Sequence, residues 1–254
     1  MPVISIAIPK GGSAKTTTAV NLAAALRQKG KTVLLIDADP QSSMSGALGI
    51  LDKAEKNLFT VLSKVVKGMS GDFDDVIITT KSGLKLIPSS NDLAEAELDL
   101  VSAVDREYVF TWMLEELKSK YDFIFIDCSS SVGMLTVNAL VASDYILMPL
   151  QAEFLPMKAV KSFMQNLKAL KKFNNKLEIL GILLNRYDDH KIMNRQILQQ
   201  LKDEFGEKVF ATHIRNNIQL AKAQEAGTDI FSYDKKSHGA EDYDELSKEF
   251  LLKL

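Results

Sequence analysis

Two lysines, Lys10 and Lys15, bracket the turn of a segment that reads Pro9-Lys10-Gly11-Gly12-Ser13-Ala14-Lys15-Thr16-Thr17-Thr18. It follows an apolar run, Val3 to Ile8, and opens an amphipathic stretch, Lys15 to Gln28. Placed between a buried strand and a helix, successive backbone N–H groups and the helix amino terminus can face a polyphosphate. In that geometry Lys15 reaches the β- and γ-phosphates and the Thr16 hydroxyl is suited to Mg²⁺. Gly11 and Gly12 let the backbone approach closely. A strict G-x-x-x-x-G-K-[ST] pattern misses the segment, because Pro9 and Ala14 occupy its two glycine positions. A Gly-Gly-Ser after a strand also fits a plain tight turn, so the loop needs support from elsewhere in the chain.

That support comes from carboxylates at strand ends. Asp37 and Asp39 follow the run Thr32 to Ile36, and Asp127 ends the run Phe123 to Ile126. An open α/β sheet gathers its ligand-facing loops at the carboxyl ends of its strands. Any one of these acids could equally be a helix cap.

The remaining pattern describes the elements that would position these groups. Short apolar runs at Val3 to Ile8, Thr32 to Ile36, Phe123 to Ile126, Tyr145 to Met148 and Ile179 to Leu184 read as buried strands. Helical patterns at Lys15 to Gln28, Asp105 to Lys118, Met134 to Ala142, Lys158 to Phe173 and Arg195 to Phe205 alternate with them. The expected fold class is α/β, a mostly parallel twisted sheet with helices on both faces. Val76 to Thr79 and Leu84 to Leu86, joined through Lys81-Ser82-Gly83, are expected to pair antiparallel, with Asn91 capping the next helix. No repeat, low-complexity tract or Pro/Gly-rich linker divides the chain, so residues 1–254 are expected to form one domain.

Composition limits the function classes. With 31 basic and 33 acidic residues the net charge is −2, so binding to nucleic acid or an anionic membrane requires a local patch. The single cysteine, Cys128, excludes an intramolecular disulfide and reads as a small core residue. No run approaches the roughly 20 apolar residues that cross a bilayer. The amino terminus has no basic region before its apolar stretch, and a reducing cytoplasm is the expected location.

Taken in order, KGGSAKTTT with NLAAAL, VLLIDADPQ and FIFIDCSSS resemble the deviant Walker A motif and its companions in the ParA/MinD family of ATPases. ILGILLNRYD and HGAEDYDELSKEF resemble the carboxyl-terminal blocks of small ParA proteins, so the likeness spans nearly the whole chain. The resemblance implies a P-loop NTPase fold, ATP and Mg²⁺ as ligands, and an ATP-dependent sandwich homodimer. It implies that residues Gly11, Gly12, Ser13, Ala14, Lys15, Thr16 and Thr17 cradle phosphates, and that Thr16 holds Mg²⁺. Lys10 would reach the partner subunit's ATP, coupling phosphate neutralisation to dimerisation. Asp39 would position the attacking water, Asp37 would hold a Mg²⁺-bound water, and Asp127 would act on Mg²⁺ through water. Asn185 and Arg186 would form part of the adenine pocket.

The departures are equally specific. Ala14 stands where relatives commonly have glycine, and Ser129 and Ser130 where they commonly have proline. A methyl at position 14 is harmless only if the backbone there is not left-handed. The arginines that bind nonspecific DNA in small ParA proteins correspond here to His190 and Gln219, leaving Lys191, Arg195, Arg215 and Lys222 to rebuild a basic patch. The nitrogenase iron protein shares the deviant loop but supplies two cysteines per subunit to a cluster, which this chain cannot. The final stretch, Leu246 to Leu254, has apolar residues but little basic charge, favouring a core-packed helix over a MinD-like membrane helix. The family implies a ParB-like stimulating partner and nucleoid association. A MinD-like regulator without DNA contact is the alternative.

Overall fold

A computed structural model describes residues 1–50, 54–69, 73–152 and 156–254. Among the described residues eight strands form one sheet: β1 (Val3–Ile6), β2 (Val33–Ala38), β3 (Ile78–Thr79), β4 (Lys85–Ile87), β5 (Phe123–Cys128), β6 (Tyr145–Gln151), β7 (Glu178–Tyr187) and β8 (Ile214–Arg215). Their order is β3-β4-β2-β5-β1-β6-β7-β8. All neighbours pair parallel except the antiparallel β3 and β4. The first strand lies inside the sheet between β5 and β6. The chain therefore builds outward from β1 in both directions, and the crevice at its carboxyl end is where such sheets bind ligands.

Alternation along each strand explains why both faces are apolar. Ile4 and Ile6 of β1, Val33 and Leu35 of β2, and Phe123 and Phe125 of β5 enter one core. Val3, Leu34, Ile36, Ile124 and Ile126 enter the opposite one. Period two with both faces covered yields continuous Val/Ile/Leu/Phe runs. On the first side lie α1 (Lys15–Gln28), α2 (Ser43–Ala47), α9 (Ile218–Glu225), α10 (Ile230–Asp234) and α11 (His238–Leu252). The second side carries α3 (Leu58–Val66), α4 (Leu93–Ser102), α5 (Val109–Glu115), α6 (Met134–Val141), α7 (Pro156–Leu170) and α8 (Ile192–Phe205). The α11 helix buries Ala240, Tyr243, Leu246 and Phe250 in the first core, and the Phe250 ring meets Phe123 and Phe125 edge-on at 5.5 and 5.7 Å. The final helix is thus packed on the core. No described helix is long and apolar enough to cross a membrane.

Several boundaries differ from the sequence pattern for identifiable reasons. The expected helix from Asp105 begins only at Val109, because Asp105 takes a left-handed φ of 48° that a helix cannot include. Val76 belongs to a 3₁₀ turn, so β3 begins at Ile78. Asn91 does not cap α4: Asp92 holds the cap position and makes no side-chain cap bond. A capping box occurs instead at α3, where Asn57 accepts from the Thr60 N–H.

Candidate active site

The loop after β1 and the start of α1 form one wall of a cleft of about 510 Å³. Gly11, Gly12, Ser13, Ala14, Lys15, Thr16 and Thr17 all line it. Gly12 has φ 70° and Ala14 has φ 69°, so the loop turns through two left-handed residues. Ala14 is the N-cap residue of α1 and offers no side-chain cap bond. No capping oxygen therefore competes for the helix's first N–H groups, which favours an anion there. The left-handed angle at Ala14 is the costly case for a methyl group.

Lys15 is buried and its Nζ donates to the carbonyls of Lys10 at 3.1 Å and Ile8 at 3.4 Å. Burial pulls its pKa below the ordinary lysine value, against the charges of Asp127, Cys128 and Asp39, which raise it. Beside it, Thr16 Oγ1 donates to Asp127 Oδ2 at 2.6 Å. Asp37 and Asp127 are register partners on β2 and β5, so two fully buried carboxylates sit side by side. Desolvation raises Asp127 to about 8, with the Asp37 charge adding to it. Desolvation likewise raises Asp37 to about 6, held down by bonds from Ser45 and Asp39. Asp127 Oδ1 is buried and has no hydrogen-bond partner among the described residues. Adjacent carboxylates, a hydroxyl and an orphaned oxygen make a hard-oxygen donor set that suits Mg²⁺.

The three acids do not occupy equivalent positions. Only Asp39 lines the cleft. Its Oδ1 accepts the Gln41 N–H at 3.0 Å, and its backbone carbonyl accepts the Ser89 hydroxyl at 2.8 Å. Asp37 Oδ2 takes both the N–H and the hydroxyl of Ser45, at 2.8 and 2.7 Å, which ties the start of α2 to β2. Ser45 Oγ in turn accepts the Ser89 N–H at 3.0 Å. The loop carrying Asp39 is therefore fixed from two sides. Cys128 is buried, with its thiol pushed up to about 12 by desolvation, and is a core residue.

The opposite wall combines Asn185 and Arg186, at the end of β7, with the segment from Ile214 to Gln224. Gln151 closes the inner end, its amide donating to the Gly12 carbonyl. Gln224 Nε2 donates to Thr17 Oγ1 at 2.9 Å, joining the two walls. Sequence reasoning missed Gln151, Ser45, Ser89 and the Ile214–Gln224 wall. Gln151 had a readable signal, a polar residue ending the apolar run of β6 beside β1.

The structure shows how the candidate basic residues are partnered. Arg215 lines the cleft, and its guanidinium is held by Asp242 at 2.6–3.1 Å and Glu241 at 2.5 Å. It is not a free surface cation. Arg195 Nη1 donates to the Asp189 carbonyl at 2.6 Å, and Lys191 Nζ lies 3.9 Å from Asp188. His190 lies beside Asp189, and Gln219 lies in the first turn of α9. Lys222 is exposed near the end of the same helix.

Residues 1–179 match the AAA domain family, well over half of the 254-residue chain. The sporulation initiation inhibitor protein Soj of Bacillus subtilis (strain 168) is 39% identical over 251 residues, covering 97% of each chain. The chromosome-partitioning ATPase Soj of Treponema pallidum (strain Nichols) is 37% identical over 246 residues, covering 96% of this chain and 94% of that protein. Among solved structures, cobyrinic acid a,c-diamide synthase from Mycobacterium smegmatis, with bound ATP analog and magnesium, aligns with a TM-score of 0.83. That pair is 32% identical over 98% of this chain and 93% of the other. The loop, the carboxylates at the strand ends and similarity along the whole length agree: the chain belongs to the ParA/Soj family of partition ATPases.

Proposed function

We propose that this chain is an ATP-gated homodimer switch for partition, in which two copies close face to face over two nucleotides. The observation that carries the reading is the divergence of the two loop lysines. Lys15 lines the cleft and is bonded to the loop's own carbonyls. Lys10 is not among the lining residues, and its ammonium has no hydrogen-bond or ion-pair partner among the described residues. A cation at the rim, matched to no acid of its own chain, is available to a phosphate held by another subunit.

Within one subunit, Lys15 and the N–H groups of Gly11 to Thr17 would hold the phosphates of ATP, and Thr16 with Asp127 would hold Mg²⁺. Bound there, Mg²⁺ neutralises phosphate charge. Asp37 would hold a metal-bound water while anchoring Ser45, and Asn185 and Arg186 would face the adenine. Asp39, the one acid of the three that lines the cleft, orients the attacking water. In-line transfer needs that water positioned more than it needs a strong base.

We further propose that the closed dimer binds nonspecific nucleoid DNA in the cytoplasm through Lys191, Arg195 and Lys222, and that a ParB-like partner stimulates hydrolysis and release. Cargo is then positioned by cycles of binding and release. The name of the Treponema pallidum relative, a chromosome-partitioning ATPase, supports a chromosome-linked role. The MinD-like membrane alternative is disfavoured because the apolar face of α11 is already buried against α1 and β5. The test is retention on nonspecific duplex DNA: it should require ATP and fall steeply as salt rises. Retention on anionic vesicles in place of DNA would overturn the DNA reading.

A further inference from the structure

Asp39 reaches the cleft with most of its polar atoms already bonded. Its N–H donates to Asp37 Oδ1 at 3.3 Å, and its Oδ1 accepts the Gln41 N–H at 3.0 Å. Its carbonyl accepts the Ser42 N–H and the Ser89 hydroxyl, both at 2.8 Å. Oδ2 alone has no hydrogen-bond partner among the described residues. The carboxylate therefore has one oxygen committed to its own turn and one available to a water in the cleft. Three of these contacts lie within residues 37–42 and travel with the turn. The Ser89 bond does not, because it spans 50 residues and comes from the loop that follows β4.

Sheet register brings the two loops together. Ile36 of β2 lies opposite Ile87 of β4 in parallel pairing, so the carboxyl ends of both strands leave the sheet side by side. A second contact then runs from Ser89 back to the same segment. The Ser89 N–H donates to Ser45 Oγ at 3.0 Å, and Ser45 Oγ donates to Asp37 Oδ2 at 2.7 Å. Ser89 thus grips the segment from Asp39 to Ser45 at both ends. Between those ends Ser42 takes a left-handed φ of 52°, and its buried Oγ has no partner among the described residues. A conformation of that kind persists only where its surroundings impose it. Asp37, Ser45 and Ser89 are 0%, 1% and 7% exposed, so water cannot readily replace a lost bond. The grip is itself anchored, because the Pro88 carbonyl accepts the N–H of the fully buried Leu58 at 2.8 Å.

We propose that Ser89 is a positioning residue for ATP hydrolysis: its hydroxyl and N–H clamp the segment 39–45 so that Asp39 Oδ2 meets the attacking water in line with the transferred phosphate. Ser89 does not line the cleft and acts only through Asp39 and Ser45. The proposal rests on the water-orienting reading of Asp39 given above. It separates binding from chemistry, because the phosphate-facing groups belong to residues 11–17 on a different loop. Releasing the clamp should therefore leave nucleotide affinity intact and slow the chemical step, where a displacement of about 1 Å can cost on the order of a hundredfold.

Steady-state and single-turnover ATP hydrolysis by the full chain test this with Ser89→Ala and Ser89→Cys. The cysteine variant keeps the bulk of the side chain but is a weak donor, so it separates the hydrogen bond from packing. Both variants should lose roughly tenfold or more in kcat, while KM and the affinity for a nonhydrolysable ATP analogue stay within about twofold. Ser89→Ala added to Asp39→Ala should change the residual turnover by less than about twofold, because no carboxylate is left to position. Parental kcat in Ser89→Ala overturns the proposal. So does a loss in Ser89→Ala that Ser89→Cys restores in full, which would assign Ser89 to packing. A KM that rises as kcat falls, or an equal loss on the Asp39→Ala background, also overturns it, since the damage would then reach the site by another route. Parental turnover in Asp39→Ala refutes the water-orienting reading itself, whereas a slow Asp39→Ala beside an unimpaired Ser89→Ala refutes the proposal alone.

Discussion

Ala14 is the point at which the sequence departs from its relatives and the structure sets a measurable cost. Its φ of 69° lies in the left-handed region, where an L-residue costs about 1–2 kcal/mol and glycine nearly nothing. Ala14→Gly relieves that strain but gives the unfolded chain more freedom, which takes back about 0.4–1 kcal/mol. The net expectation is a gain of about 0.5–1 kcal/mol, which for a chain of this size corresponds to about 1–4 °C in thermal midpoint. Ala14→Val should move the other way by more than 1 kcal/mol, roughly, because a β-branched residue is poorly tolerated at positive φ. Urea unfolding without nucleotide measures both. Since the loop's N–H groups keep their directions in the glycine variant, its ATP affinity should equal or exceed that of the parent. A glycine variant less stable than the parent, or a valine variant equally stable, would refute the left-handed geometry and the strain derived from it.

Asp39→Ala should bind ATP and Mg²⁺ yet lose about one hundredfold or more in turnover, equivalent to about 2.7 kcal/mol of transition-state stabilisation, and should persist on DNA; normal turnover in steady-state phosphate release would remove Asp39 from the mechanism. The raised Asp37 and Asp127, at about 6 and about 8, bind more protons folded than unfolded between roughly pH 4 and 8, so the metal-free protein should lose stability as pH rises through that window. Denaturation midpoints across pH check this, and Mg²⁺ with a nonhydrolysable ATP analogue should flatten the slope. Gly181→Ala should cost about 1–3 kcal/mol by chemical denaturation, because the new methyl would overlap the Phe210 ring and approach the Lys208 carbonyl to 2.9 Å.

What could be read in the sequence follows from how local each determinant is. The five long strands were legible because both sheet faces are buried and their apolar runs are unbroken. The loop residues and Asp39 were legible because motif order fixes them to the carboxyl ends of β1 and β2, and the fold brings them into one cleft. The ion pairing of Arg215 was not legible, since its partners, Glu241 and Asp242, lie on α11 and become neighbours only in the folded chain. The two-residue strand β8 carries no period of its own and exists by pairing with β7. Gln151 and Ser45 escaped notice for the same reason: what each does depends on a carbonyl or carboxylate supplied by a distant element.

The central claim is that Lys15 binds nucleotide within a subunit while Lys10 joins two subunits over it. Sedimentation velocity with ATP and Mg²⁺ tests it on three proteins, with nucleotide binding followed by calorimetry on the same samples. The parent should sediment as a dimer with ATP and a monomer with ADP. Lys15→Ala should bind no ATP and stay monomeric, whereas Lys10→Ala should bind ATP and still remain a monomer. An intact ATP-dependent dimer in Lys10→Ala would contradict the account.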